Sequence, residues 1–504
     1  MTQWTEQQLA FFDFLQSTDA SCVLQAKAGT GKTTTLVEGI KHLKGSILQT
    51  AFNTKIKKEF EAKIGDSAVC KTMNGLGHRA LCNMFGGRIS IDRDKNFKVV
   101  KEIMKDEPDS SKYAWSPVLQ LLGRAKHSGL VPKSTPGNSW TAYLEDTPEN
   151  WQDLADHHNI EFDPTILSLV RRALRLSNKM AWKKECDFDD QIYIPVCWNA
   201  TFDKYDNVIV DEAQDLSVMQ HRIVEKSVKH GGRIIAAGDI HQAIYGWRAA
   251  ASDSIPQLIE KFHLEELDLT VSFRCGTRII EEAQAIVPEI EARPDAHTGE
   301  VIRQGDWGAE TFQHGDAILC RNNGPLIGTA YRLISAGVPI FVIGRDIGRG
   351  LKNLIKILQK RGANSASDLM MLAEEWKEVE LARLHAANKF SQMQAVDDKA
   401  TSLIAIITGS GAREIDEVIL RIDELFSKKS GKVCLSTIHR AKGMEWPRVF
   451  FLDDELIPSY WTLKAVAQDP NRFQWMLQEE FNIRYVAVTR AIDQLTYVRS
   501  EDWT

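Results

Sequence analysis

The sequence lacks the paired cysteines that mark metal-binding and disulfide-stapled proteins. Its eight cysteines are scattered through 504 residues, and no two of them form a C-x-x-C pair. Zinc sites, iron–sulfur sites and the disulfide frameworks of small secreted domains all require closer and more regular spacing. We therefore predict reduced cysteines, no structural metal and a cytoplasmic protein.

Long apolar runs and an excess of positive charge are also missing. No apolar segment approaches the roughly 20 residues that cross a bilayer, and the polar amino terminus does not resemble a secretory signal peptide. We expect no membrane partner and a location in the cytoplasm of a bacterium or, for a viral protein, of the host cell. The formal net charge is −6, so any nucleic acid must bind in a local groove rather than on a generally basic surface.

A phosphate-binding loop is the clearest motif near the amino terminus. A short apolar segment at 21–25 runs into A-K-A-G-T-G-K-T at 26–33, which is the G-x-x-x-x-G-K-[ST] pattern with alanine in the first position. Backbone amides of such a loop bind phosphate oxygens together with the start of the next helix, predicted here over 34–42. A glycine-rich turn that only caps a helix is the structural alternative. The candidate nucleotide-binding residues are Ala26, Ala28, Gly29, Thr30, Gly31, Lys32, Thr33 and Thr34.

Within this loop, Lys32 is the residue expected to meet the β- and γ-phosphates, and the Thr33 hydroxyl is placed to hold Mg²⁺. A second motif supplies the acids. The apolar run 207–210 ends in Asp211 and Glu212, as at the carboxyl end of a buried parallel strand. We assign Asp211 to Mg²⁺, and Glu212 to orienting and deprotonating the attacking water. An acidic pair at a helix start is the alternative that this motif alone would favour.

The third motif is G-D-I-H-Q-A-I-Y-G-W-R at 238–248. Gln242 could touch a phosphate, while Tyr245 and Trp247 would project on one side of an extended backbone and could stack on unpaired bases. A buried aromatic pair after a strand explains this stretch equally well when it is taken alone. Combined with the phosphate loop and the acidic pair, it predicts a machine that converts ATP hydrolysis into movement along a nucleic-acid strand.

These motifs resemble those of superfamily 1 helicases of the UvrD/Rep type. Gln8 occupies the position of the family's adenine-reading glutamine, with Gln7 as an alternative. V-S-F-R at 271–274 resembles the family's Q-N-Y-R. This resemblance implies that Phe273 stacks on adenine and that Arg274 reaches the γ-phosphate.

Matches to the same family extend to the carboxy-terminal quarter. L-S-T-I-H-R-A-K-G-M-E-W at 435–446 resembles T-x-H-x-A-K-G-L-E-F, and Y-V-A-V-T-R-A at 485–491 resembles Y-V-A-x-T-R-A. The resemblance places Glu445 at the nucleotide sugar and makes Arg490 an arginine finger, a charge that stabilises the transferring phosphate.

Candidate DNA contacts come from several of these segments. A-F-N-T-K at 51–55 resembles the family's T-F-T-N-K, with the order of asparagine and threonine inverted. T-M-N-G-L at 72–76 resembles T-x-H-S-F, with asparagine and glycine in place of histidine and serine. The expected DNA-binding residues are Phe52, Asn53, Thr72, Tyr245, Trp247, Thr437 and His439.

The resemblance implies an α/β fold with two RecA-like, parallel-sheet P-loop motor domains, each carrying a mainly helical insertion. We expect the first motor domain at 1–94 and 186–270, its insertion at 95–185, the second motor domain at 271–345 and 429–504, and its insertion at 346–428. Helices are predicted over 166–179, 351–361, 366–393 and 412–427. D-F-D-D at 187–190 is interpreted as a helix cap rather than as a metal site.

Three functions are compatible with these motifs. The first is a DNA helicase that uses ATP and Mg²⁺ and moves 3′ to 5′, a polarity that rests on the resemblance alone. The second is a translocase that strips proteins from single strands with little unwinding, and the third is a non-enzymatic, ATP-switched clamp on nucleic acid. The expected partners are single-stranded DNA and junctions between single and double strands. A single-strand-binding protein is a candidate partner, and we expect a monomer.

Overall fold

The protein forms two compact units, each built around its own sheet. The structure, a computed structural model, describes residues 3–133, 140–158, 160–244, 254–386, 389–428 and 430–504. One unit comprises Met1–Lys27 with Gly31–Leu269, and the other comprises Ala28–Thr30 with Thr270–Thr504. Each unit holds a six-stranded sheet in which the paired strands run parallel. The predicted α/β class with two parallel-sheet units is therefore confirmed.

The sheet of the first unit is buried and mostly apolar. Its strands are β1 (Cys22–Ala26), β2 (Ile47–Ala51), β3 (Val69–Thr72), β4 (Tyr205–Val210), β5 (Val228–Gly238) and β6 (Glu265–Leu269). Residues of β1 and β2 are almost all buried, as expected for strands covered on both faces. The spatial order is β3-β2-β4-β5-β1-β6, so the carboxyl ends of all six strands meet at one edge.

Eleven helices are described in the first unit. The helix predicted over 166–179 is confirmed as Pro164–Trp182, and it starts earlier because the Asp163 side chain accepts a hydrogen bond from the Ile166 amide. The helices are α1 (Glu6–Ser17), α2 (Lys32–Ile40), α3 (Thr54–Ile64), α4 (Met73–Met84), α5 (Lys95–Met104), α6 (Trp115–Ser128), α7 (Pro148–His157), α8 (Pro164–Trp182), α9 (Asp190–Cys197), α10 (Val218–Ser227) and α11 (Ser254–Phe262).

The helices at 95–185 share a core with the sheet rather than forming a separate one. Val99 of α5 and Leu121 of α6 belong to the same buried apolar cluster as Val23 of β1 and Leu48 of β2. Such continuity means that the inserted helices and the sheet stabilise each other through apolar burial.

A buried ion cluster lies where these helices meet α9. The Lys95 ammonium is 2.5 Å from Asp190, and the Lys126 ammonium is 2.6 Å from Asp187 and 2.8 Å from Asp190. None of these four side chains is more than 5% exposed. Burial favours the neutral form of Asp190, but Lys126 and Lys95 outweigh burial and lower its pKa. Because each buried charge has an opposite partner, the cluster can persist in the interior.

The D-F-D-D segment therefore does more than the sequence predicted. The expected capping role falls to Asp187, whose carboxylate accepts a hydrogen bond from the Asp190 amide at 2.8 Å. Asp189, the residue at the helix boundary, makes no side-chain cap bond. Sequence reasoning missed the two buried lysines because they lie 61 to 95 residues away along the chain.

The strands of the second unit are β7 (Val271–Ser272), β8 (Glu291–Ala292), β9 (Glu300–Arg303), β10 (Asp316–Cys320), β11 (Ile340–Val342), β12 (Val433–Thr437), β13 (Trp446–Leu452) and β14 (Ala491–Val498). Its main sheet has the spatial order β11-β12-β10-β13-β14-β9, and β7 and β8 form a small two-stranded sheet. The helices are α12 (Thr277–Gln284), α13 (Asn323–Ser335), α14 (Arg345–Lys360), α15 (Ala366–Ala386), α16 (Phe390–Ser410), α17 (Ile415–Ser427), α18 (Ile438–Ala441), α19 (Tyr460–Gln468) and α20 (Pro470–Val488).

Two of the helices predicted for the second insertion are confirmed, as α14 and α17, and the third is wrong in its extent. The segment predicted as one helix over 366–393 contains the end of α15 at Ala386 and the start of α16 at Phe390. No glycine or proline marks this break, so nothing in the local pattern signals it. The Phe390 ring is 1% exposed and packs edge-on against Phe473, which indicates that tertiary packing fixes the start of α16.

One carboxylate ties α16 to α13, the helix that follows β10. Asp398 of α16 accepts hydrogen bonds from the Asn323 and Gly324 amides at 2.7 and 2.9 Å, at the start of α13. These amides belong to the first turn of a helix and have no partner within it. Asp398 therefore caps α13 from a distant part of the chain.

Replacing Lys126 with alanine should lower the free energy of unfolding by about 3–5 kcal/mol, because Asp187 and Asp190 stay buried after losing a cation. Denaturant unfolding followed by far-ultraviolet circular dichroism would measure this loss. The matched control is Lys98→Ala, since Lys98 is 58% exposed and pairs with Asp92 at the surface. An equally large loss in both variants would contradict a special role for the buried cluster.

Candidate active site

The phosphate loop joins β1 to α2. Gly29 and Gly31 have φ values of +75° and +77°, a left-handed conformation that glycine adopts without strain. The helix begins at Lys32, two residues before the predicted start. It thus presents its first-turn amides and the positive end of its dipole where an anion can bind. Of the remaining candidates, Ala26, Ala28 and Thr30 are buried, Thr33 is half-buried and Thr34 is exposed.

Lys32 and the two acids after β4 meet at the carboxyl edge of the first sheet. The Lys32 ammonium lies 3.0 Å from Oδ1 of Asp211 and 2.7 Å from Oε1 of Glu212. Burial alone would lower the pKa of Lys32, but the two carboxylates outweigh burial and raise it. The structure thus brings Lys32 into contact with two adjacent acids that lie about 180 positions further along the sequence.

The two acids differ in their surroundings. The Asp211 side chain is 3% exposed, and burial raises its pKa although Lys32 opposes this shift. The Glu212 side chain is 26% exposed, and its backbone has a φ of +53°, which is uncommon for a residue with a side chain. This turn directs the Glu212 carboxylate back toward Lys32. A buried acid beside a partly exposed one fits one cation ligand and one group that can reach water.

Gln242 lies in a short 3-10 turn, Ile240–Gln242, directly after β5. Its side-chain amide donates to Oδ2 of Asp239 at 2.8 Å. Tyr245 and Trp247, the two rings to which the sequence assigns base stacking, lie outside the described residues. Their role stays a prediction.

Sequence reasoning missed Gln214 and Asp239, which are hydrogen-bonded to Glu212 and Gln242, respectively. The side-chain nitrogen Nε2 of Gln214 donates a hydrogen bond to Oε2 of Glu212 at 2.5 Å. Oε1 of Gln214 accepts one from the backbone amide of Asp239 at 3.2 Å. Both residues follow the ends of parallel strands, where polar side chains tend to be functional. That position was the available signal.

Gln8 is fully engaged within the first unit. Its Oε1 accepts a hydrogen bond from the Thr5 amide at 3.0 Å, and its Nε2 donates to the Thr35 hydroxyl at 2.8 Å. The side chain therefore joins the start of α1 to α2, and the residue is 3% exposed. Gln7, the alternative adenine reader, is only partly buried.

Three of the candidate DNA contacts of the first unit lie at or just after the ends of β2 and β3. The Phe52 ring is 47% exposed, as a base-stacking ring needs to be. The Asn53 side chain caps α3 by accepting hydrogen bonds from the Lys55 and Ile56 amides. Thr72 caps α4 in the same way. Phe52 and Asn53 are thus both exposed and Thr72 is half-buried, and Asn53 and Thr72 also hold helix starts in place.

The second unit brings together Arg274, Glu445 and Arg490. Nε of Arg274 lies 2.6 Å from Oε2 of Glu445, which is a close ion pair at a partly exposed position. The Arg490 guanidinium is buried and donates to the carbonyl oxygens of Val486 at 3.1 Å and Met444 at 3.0 Å. Burial lowers the pKa of Arg490 to about 9, and the charge of Arg274 acts in the same direction.

The remaining candidates of the second unit differ in exposure. Phe273 is 38% exposed, whereas Thr437, at the end of β12, is only 7% exposed. His439 lies in the short helix α18 and is half-buried. The ring at 273 is thus accessible for stacking, while most of the Thr437 side chain faces the protein.

Among the described residues, no group of three or more histidine, cysteine, aspartate or glutamate side chains is arranged to hold a metal ion. In the same part of the chain, no helix is long and apolar enough to span a membrane.

Known proteins share this arrangement of sequence motifs. The model of the UvrD/REP helicase N-terminal domain matches residues 4–263, and that of the UvrD-like helicase C-terminal domain matches residues 349–501. F-box DNA helicase protein 1 of Schizosaccharomyces pombe is 25% identical over 94% of this chain and 55% of its own length. F-box DNA helicase 1 of Gallus gallus is 23% identical over 93% and 46%. DNA helicase II of Escherichia coli is 21% identical over 96% and 82%.

The chain spans about half the length of the two F-box helicases that it matches. The amino-terminal family model alone covers just over half of this chain, and the carboxy-terminal model covers a separate part of it. The resemblance inferred from the motifs is therefore confirmed, and the chain belongs to the UvrD/Rep family of superfamily 1 helicases.

Proposed function

We propose that this protein is an ATP-dependent DNA helicase that couples ATP hydrolysis to 3′-to-5′ movement on single-stranded DNA and to duplex unwinding. The observation that carries the proposal is the contact of Lys32 with Asp211 and Glu212 beside a phosphate-binding loop. A cation for phosphate, a metal-binding acid and a base are the parts that phosphoryl transfer to water requires.

Each of these residues has one role in the proposed hydrolysis. The loop amides and Lys32 bind the β- and γ-phosphates, whose negative charge competes with the two carboxylates for the Lys32 ammonium. Glu212, released from Lys32, accepts a proton from the attacking water. Gln242 contacts the γ-phosphate.

Mg²⁺ fits the donor set of this site. The Asp211 carboxylate and the Thr33 hydroxyl offer oxygen ligands, which this ion prefers. Burial raises the pKa of Asp211, so a cation beside it would stabilise its charged form. When bound, Mg²⁺ neutralises charge on the phosphates. Asp211 and Thr33 are the residues that we assign to holding it.

The family resemblance assigns the other proposed contacts. Arg274 and Arg490 provide positive charge for the transferring phosphate, Phe273 stacks on adenine, and Glu445 contacts the nucleotide sugar. Gln8 reads the adenine edge, which requires its side-chain amide to exchange its bonds to Thr5 and Thr35 for bonds to the base. The division into motor segments 1–94 with 186–270 and 271–345 with 429–504, and insertions 95–185 and 346–428, belongs to the same proposal.

DNA is the proposed substrate because relatives over most of this chain carry the name DNA helicase, and because Phe52 exposes a ring beside a predicted strand-binding segment. The proposed partners are single-stranded DNA, single-to-double-strand junctions and a single-strand-binding protein, with the protein acting as a monomer. Absence of ATP turnover both with and without single-stranded DNA would instead favour the non-enzymatic clamp.

Replacing Lys32 with alanine should reduce ATP turnover by about 10²–10³-fold, because the transferring phosphates lose a fixed positive charge. Steady-state phosphate release would measure this, with a melting curve to verify folding. Lys27→Ala is the matched control in the same loop and should stay within about threefold of wild type. Turnover by a folded Lys32→Ala variant within that same range would show that the site is wrongly assigned.

Replacing Glu212 with glutamine should preserve ATP binding and abolish turnover, because the amide keeps the shape of the side chain but cannot accept the proton. Asp211 remains available for Mg²⁺. The variant should retain ATP on single-stranded DNA, which filter binding with labelled nucleotide would detect. Loss of nucleotide binding would instead indicate a structural role for the acidic pair.

The proposed polarity predicts unwinding of duplexes with a 3′ single-stranded tail and little unwinding of those with a 5′ tail. Strand displacement on the two substrates, matched in length and sequence, would measure it. Displacement from 5′-tailed duplexes alone would overturn the polarity. DNA-stimulated ATP turnover without displacement from either substrate would favour a translocase that strips proteins.

A further inference from the structure

Two buried polar side chains beside Glu212 have no part in the hydrolysis proposed above. Gln214 is 2% exposed and Asp239 is 3% exposed. They follow β4 and β5, which are neighbouring parallel strands, so both lie at the sheet edge that carries Asp211 and Glu212. Buried polar groups require partners, and the identity of these partners indicates what the pair does.

The Gln214 side chain uses both ends of its amide. Its nitrogen donates to Oε2 of Glu212 at 2.5 Å, and its oxygen accepts from the backbone amide of Asp239 at 3.2 Å. An amide is suited to this position because it offers a donor and an acceptor on one short group. A carboxylate in the same place could only accept, and a thioether would offer no N–H or O–H donor.

Asp239 continues the series of hydrogen bonds. Its Oδ2 accepts from the side-chain amide of Gln242 at 2.8 Å, and its Oδ1 accepts from the His241 amide at 3.0 Å. The side chains of Glu212 and Gln242 are thereby connected through Gln214 and Asp239. These two end residues are the proposed base and the proposed γ-phosphate contact.

Gly238 leaves the space that Gln214 occupies. A Cβ atom built on Gly238 would lie 2.3 Å from Oε1 of Gln214 and 3.2 Å from its backbone nitrogen. A distance of 2.3 Å is too short for two non-bonded atoms, so any other residue at 238 would displace the Gln214 amide. The position of this amide therefore depends on a glycine at the end of the adjacent strand.

We propose that Gln214 is a positioning residue that orients the Glu212 carboxylate and joins it, through Asp239, to Gln242. Lys32 holds Oε1 of Glu212 and Gln214 holds Oε2. When phosphate engages Lys32, the bond from Gln214 keeps the carboxylate directed at the attacking water. The base and the γ-phosphate contact then act as one hydrogen-bonded unit. This inference rests on the proposed ATP hydrolysis.

The test compares ATP turnover by Gln214→Met and Gln214→Glu with wild type, on folded protein and with saturating single-stranded DNA. Methionine matches the length of glutamine without its hydrogen bonds, and glutamate keeps the acceptor facing Asp239 but sets a carboxylate against Glu212. We expect kcat to fall about 10- to 100-fold in Gln214→Met, as for a misplaced catalytic group, and further in Gln214→Glu. KM for ATP should stay within about twofold, because Gln214 has no proposed contact with the nucleotide.

A double-mutant comparison separates positioning from general structural damage. If Gln214 acts through the connection to Gln242, then Gln214→Met should have much less effect in a Gln242→Ala background than in wild type. Independent effects that simply multiply would overturn the connection. Gly238→Ala, which displaces the Gln214 amide without altering its chemistry, should reduce kcat in the same way and provides a second test if Gln214→Met folds poorly.

Gln220→Met is the matched control. Gln220 is a half-buried glutamine six residues further along the chain, but its Oε1 accepts from the Ser217 amide at the start of α10, so only stability should change. Values of kcat within twofold of wild type in both Gln214 variants would overturn the inference while leaving the proposed function intact. A wild-type protein that does not hydrolyse ATP would overturn both.

Discussion

The pairing of Lys32 with Asp211 and Glu212 is the interaction on which the first unit's active site depends. A lysine and an aspartate that are both largely withdrawn from water are tolerated because each compensates the charge of the other. The same contact fixes the start of α2 against the end of β4, and so it links the phosphate loop to the acids across the sheet edge. Because Lys32 lies beside the phosphate loop, a bound phosphate can compete with Asp211 and Glu212 for its ammonium group.

The parallel sheets explain why the candidate residues converge. In each unit, candidate site residues lie at or just after the ends of strands, because this edge is where the chain leaves a buried apolar sheet. In the first unit, Phe52 directly follows β2 and Thr72 is the last residue of β3. Asp211 and Asp239 directly follow β4 and β5, respectively. The second unit places Thr437 at the end of β12. Strand connectivity, rather than proximity in the sequence, therefore assembles the sites.

The family resemblance predicted the fold class, and a glycine loop and an apolar run that ends in two acids are local patterns that pointed to Lys32, Asp211 and Glu212, which the structure brings into contact. The sequence was insufficient for side chains whose partners are distant. Gln214 reads as an ordinary residue of an acidic motif until β5 brings the Asp239 amide to it. Lys95 and Lys126 carry no local signal of burial, yet both are fully buried. The break between α15 and α16 was missed for the same reason, since packing determines it.

Buried cations in this chain are stabilised in two physically different ways, and the difference bears on function. Lys95 pairs with Asp190, and Lys126 pairs with Asp187 and Asp190, so carboxylates compensate both ammonium groups. Arg490 instead donates to the carbonyl oxygens of Val486 and Met444 and to the Thr489 hydroxyl. Burial lowers its pKa, and the charge of Arg274 acts in the same direction. The two lysines therefore help to hold the interior of the first unit together, whereas Arg490 is the buried cation that the proposed function assigns to the transferring phosphate.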